Sequence, residues 1–62
     1  MSETEAKQHL LTGGRLISSK RFDEVYYNSI TEKFIIEFYI GNRLSGETSE
    51  FMWEFLPTFE LK

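Results

Sequence analysis

Cysteine is absent from this 62-residue chain, and proline and histidine occur once each. Without cysteine no disulfide can staple the fold, and with a single histidine a zinc site of the Cys/His type is excluded. No apolar run approaches the roughly 18 residues that a transmembrane helix needs. The N-terminus is polar and acidic, unlike a secretory signal, so a soluble cytoplasmic protein is expected. Neither Gly-x-x-x-x-Gly-Lys nor Gly-x-Gly-x-x-Gly occurs, so no phosphate-cradling loop is supported and no cofactor is expected.

What the chain does have is aromatic residues, at 16%, and an uneven charge. A domain of about 60 residues buries only about 60% of the surface its unfolded chain exposes. A dense aromatic core or self-association must therefore supply its stability. The net charge is −3. In residues 1–22, Glu3 and Glu5 stand against Lys7, Arg15, Lys20 and Arg21, for +2. Residues 23–62 carry −5. An acidic sheet region disfavours direct nucleic-acid binding, where phosphate neutralisation supplies most of the affinity. Arg15, Lys20 and Arg21 form a local basic cluster, read as a solvated edge ahead of an anion site.

The chain is organised around Phe34–Ile40, a strand by its β-branched and aromatic content. Alternation puts Phe34, Ile36, Phe38 and Ile40 on one face, and Ile35, Glu37 and Tyr39 on the other. Glu24–Tyr27 pairs with it through a turn at Asn28–Glu32. An even offset places Val25 and Tyr27 with Phe34 and Ile36, and Tyr26 with Ile35 and Tyr39. Ahead of this hairpin, Ser2-Glu3-Thr4-Glu5 fits a capping box for a helix over about residues 3–12, closed by Gly13-Gly14. A short edge strand follows at Arg15–Ser19.

Beyond a turn at Gly41–Gly46, Phe51, Trp53 and Phe55 alternate with Glu50, Met52 and Glu54. This favours a strand over Glu47–Phe55 that Pro57 ends. The rival is a helix capped by Thr48 or Ser49. Phe59 and Leu61 would pack back on the sheet edge. The expectation is one α+β domain over residues 1–62, an N-terminal helix packed on an antiparallel meander of three to four strands. Its core would be Leu10, Leu11, Ile17, Val25, Tyr27, Phe34, Ile36, Phe38, Phe51, Trp53 and Phe55.

Glu5-Ala6, Leu10-Leu11 and Gly13-Gly14-Arg15-Leu16-Ile17 resemble the opening of small phage and prophage domains. In those, a short helix leads through a Gly-basic step into a first strand followed by an aromatic, often Trp; here Phe22 stands near that place. The resemblance covers residues 5–22. It implies an accessory, anti-defence-like protein that binds a host factor or sequesters a signalling nucleotide, and it transfers no functional residue.

For catalysis, Glu50 and Glu54, with Glu37, form a carboxylate set that would need a cleft. Solvated strand acids are the commoner case, and no enzyme is expected. His9 has no second ligand type beside it and reads as a surface or cap-side histidine. The candidate site is the second sheet face, bearing Tyr26, Ile35, Glu37, Tyr39, Glu50, Met52 and Glu54. One ten-residue helix covers only one side of a sheet, and monomers rarely leave large apolar patches bare. The expectation is a non-enzymatic interaction protein that inhibits or modulates a host protein, one with a basic nucleic-acid-binding groove included. The alternatives are an oligomeric small-ligand or nucleotide binder, or a nucleic-acid module using Arg15, Lys20 and Arg21.

Overall fold

The structure is a computed structural model that describes residues 1–41 and 43–62. Helix α1 (Glu3–Leu11) is followed by strands β1 (Leu16–Ser18), β2 (Glu24–Asn28), β3 (Lys33–Ile40) and β4 (Arg43–Glu50). A 3-10 helix (Trp53–Thr58) and a final strand β5 (Phe59–Leu61) complete the chain. The sheet order is β4-β3-β2-β1-β5, with every pair antiparallel. The α+β class holds, with five strands rather than three to four.

Local chemistry explains the first half. The Ser2 hydroxyl accepts the N–H of Glu5 at 3.1 Å, and the Glu5 carboxylate accepts the Ser2 N–H at 3.3 Å, closing the capping box. Gly13, at φ +95°, ends the helix in the left-handed region where a Cβ is penalised. Asn28 Oδ1 accepts the N–H groups of Ile30 and Thr31 at 2.9 and 3.2 Å, which fixes the β2–β3 turn. The hairpin register is the expected one, with Val25 opposite Ile36, Tyr26 opposite Ile35 and Tyr27 opposite Phe34.

The C-terminal third departs from expectation. β4 begins at Arg43, inside the expected turn, and ends at Glu50; Asn42 of that turn lies outside the described residues. Glu50 pairs with Ile35, and the Phe51 N–H then reaches Phe34 O at 2.8 Å. β3 begins one residue before Phe34, so the ladder has no partner left for a strand running to Phe55. The chain turns instead into the 3-10 helix, which contains Pro57 and whose capping residue, Met52, makes no side-chain cap. β4 and β5 lie on opposite edges of the sheet, so this segment crosses one face to reach β1.

That face is thereby covered by α1 and the 3-10 helix. The buried core is Ala6, Leu10, Leu16, Val25, Phe51 and Leu56, with Tyr27, Phe34, Ile36, Trp53 and Phe59 packed against it. Edge-to-face ring pairs join Phe34 to Trp53, Trp53 to Phe51 and Phe51 to Phe59 at 5.0–5.2 Å. Three expected core residues move. Leu11 is exposed, because α1 turns Ala6 and Leu10 inward. Phe55 is exposed on the 3-10 helix. Ile17 points to the other sheet face, because Leu16, opposite Val25, is the inward residue of β1. Phe38 keeps the expected face but is only half-buried.

Candidate functional site

The second face of the sheet has no helix over it among the described residues. Its layout follows from register and alternation. Arg15, adjoining β1, stands opposite Tyr26, because Leu16 pairs with Val25; Tyr26 pairs with Ile35, and Ile35 with Glu50. The neighbouring row runs Glu60, Ile17, Glu24, Glu37, Thr48. Tyr39 lies beyond, opposite Leu44. Ile17, Tyr26, Ile35 and Tyr39 are half-buried, and none belongs to the core cluster.

Arg15 dominates this face. Its guanidinium lies 5.0 Å from the centroid of the Tyr26 ring and donates from Nη2 to Glu37 Oε1. Its Nε sits 2.8 Å from Glu24 Oε1, off the N–H axis, so that contact is an ion pair rather than an aligned hydrogen bond. Lys62 Nζ holds the other Glu24 oxygen at 2.7 Å. The Glu24 side chain is 9% exposed and that of Arg15 37%, so the cluster is partly shielded from water. The result is a cross-strand cation–π and ion-pair cluster over the middle of the sheet.

Of the residues expected to form the site, Tyr26, Ile35, Glu37, Tyr39 and Glu50 share this face. Met52 and Glu54 do not: Met52 is exposed at the start of the 3-10 helix, and Glu54 is exposed within it, on the segment that crosses the covered face. The expected carboxylate set of Glu37, Glu50 and Glu54 is therefore not assembled. Glu37 is tied to Arg15, and Glu50 lies 3.7 Å from Lys33. Reading the residues in sequence placed Arg15 in an edge cluster with Lys20 and Arg21. In the fold Arg15 joins Glu24 and Glu37, and Arg21 Nε lies 3.4 Å from Asp23. The basic cluster is thus broken up. The signal for Arg15 was available only from the facing of β1, since the side-chain partners of Arg15 are remote in sequence.

Of the two readings of His9, the cap-side one matches its place: it lies in the last turn of α1, half-buried, with Nε2 3.1 Å from Arg15 O. Among the described residues no group of three or more His, Cys, Asp or Glu is placed to hold a metal ion, and no helix is long and apolar enough to cross a membrane. Compared with family models, with curated proteins and with solved structures, the chain matches none.

Proposed function

We propose that the protein is a small, non-enzymatic binding protein that contacts a protein partner through its open sheet face. The observation that supports this reading is the Arg15–Tyr26 stack, set among Ile17, Ile35 and Tyr39 on a face with no helix over it among the described residues. Tyrosine and arginine are enriched among the residues that dominate binding energy, because they combine large contact area with directed hydrogen bonds. Arg15 is already held by two carboxylates, so it loses little side-chain freedom on binding.

The resemblance of residues 5–22 to phage and prophage accessory domains supports a host protein as the partner. Charge is not the basis of the reading. Glu24 and Glu37 on this face are neutralised within the protein, and Glu54 of the expected site lies off the face. The double variant Tyr26→Ser/Tyr39→Ser tests the proposal. It should lose the partner that wild type retains in affinity capture, while its thermal midpoint stays within a few degrees. A folded double variant that still binds every wild-type partner contradicts the reading.

A further inference from the structure

The covered face is incompletely covered. α1 packs against β2, and the 3-10 helix crosses the sheet further along. Beside the 3-10 helix, toward the β1–β2 connection, the sheet keeps a hollow of about 320 Å³, walled by Ile36, Phe38, Phe51, Phe55 and Phe59, with Asp23 and Arg21 at its polar end. It explains why Phe38, on the core-facing side of the central strand, is only half-buried, and why Phe55 stays exposed beside it.

The hollow is on the opposite side of the sheet from the Arg15–Tyr26 stack. Its volume is about twice the ~150 Å³ that accommodates a benzene in an apolar cavity, which suits one or two fused rings. Four of its walls are phenyl rings, which favour an aromatic guest packed edge-to-face or offset. Its polar end is specific too. The Asp23 side chain is 5% exposed. Oδ1 accepts the Tyr39 N–H at 2.8 Å, and among the described residues Oδ2 has only the 3.4 Å contact with Arg21 Nε. A carboxylate has about four acceptor positions, so Asp23 retains capacity for a further donor. A nucleotide is too large for a hollow of this volume.

We propose that this hollow is a binding site for a free small aromatic molecule of one or two fused rings that carries an N–H or O–H donor. The rings fill the space between Phe38, Phe51, Phe55 and Phe59, and the donor is received by Asp23.

The test is an amide-resolved NMR titration of the full chain with indole, with 1-methylindole as the probe that lacks the donor. Indole should give saturable shifts at Ile36, Phe51 and Phe59, with a Kd of about 0.1–1 mM for so small a ligand. The 1-methyl compound should bind about tenfold more weakly, because it leaves Asp23 without the added donor. Ser49→Leu should fill the hollow and remove the shifts. Phe55→Ala, at an exposed side chain, should weaken them even if Ser49→Leu fails to fold. Tyr26→Ser/Tyr39→Ser should leave them unchanged, which separates this site from the partner face. Several outcomes overturn the proposal: no saturable shift up to about 5 mM indole, shifts that map to Tyr26, Ile35 and Tyr39, or binding indifferent to both hollow variants. A hollow that ignores indole but becomes protected when a protein partner binds also overturns it, in favour of a partner's side chain.

Discussion

The imidazole of His9 rests directly on Gly14. A Cβ at residue 14 would lie 2.4 Å from His9 Nε2, and that nitrogen is the one 3.1 Å from Arg15 O. The two glycines that close the helix therefore do different things. Gly13 supplies the left-handed backbone at φ +95°, with open space around it, whereas Gly14 makes room for a ring that ties α1 to the start of β1. Gly14→Ala should cost about 1–2 kcal/mol, through displacement of the imidazole and loss of its bond to the chain. Denaturant melts of Gly14→Ala, His9→Ala and the double variant check this. The two single effects should be clearly less than additive, since both remove the same contact.

Gly13→Val should destabilise by about 1–2 kcal/mol for a different reason, the penalty on a β-branched side chain at positive φ. This effect should be independent of His9. A melt in which Gly13→Val and His9→Ala combine additively supports the distinction.

Arg15→Met keeps most of the side-chain volume and removes the charge. Among the described residues, Glu24 would then keep only Lys62, and Glu37 would lose its partner on a half-buried surface. We expect a loss of about 1–2 kcal/mol, below the figure for a fully buried pair because Arg15 is 37% exposed. Chemical denaturation in low and high salt checks it, with the wild-type advantage smaller at high salt.

Phe51→Ala and Phe38→Ala should separate. Phe51 is 4% exposed and makes two ring contacts, so its truncation should cost about 3–5 kcal/mol. Phe38 borders the hollow, and its truncation enlarges an existing space, so about 1–2 kcal/mol is expected. Equal costs would place Phe38 in the sealed core after all.

These contrasts mark where the sequence was legible. The β2–β3 hairpin could be read because the β-branched and aromatic content of Phe34–Ile40 marks a strand and an even turn offset sets Val25 opposite Ile36. The capping box and Gly13 could be read because helix ends are satisfied by nearby residues. β1 was ambiguous, because a three-residue strand with adjacent Leu16 and Ile17 has no periodicity to orient it. The 3-10 helix was hidden by the alternating aromatics Phe51, Trp53 and Phe55, which imitate a strand; what ends β4 is the starting point of β3, a fact of pairing rather than of local composition. On the candidate face, Tyr26, Ile35, Glu37, Tyr39 and Glu50 followed from alternation. Met52 and Glu54 fell with the strand assignment. Arg15 was missed because its carboxylate partners come from β2 and β3.

The central claim is that the open sheet face, and not the covered one, meets a protein partner. Site-specific photocrosslinking in the producing cell tests it most directly, with p-benzoylphenylalanine placed at Tyr39 or, for comparison, at Glu54 on the 3-10 helix. The account predicts a discrete higher-mass adduct from position 39 and none from position 54, whether the captured protein is a host factor or a second copy of this chain. An adduct from position 54 alone, or from neither position, would contradict it.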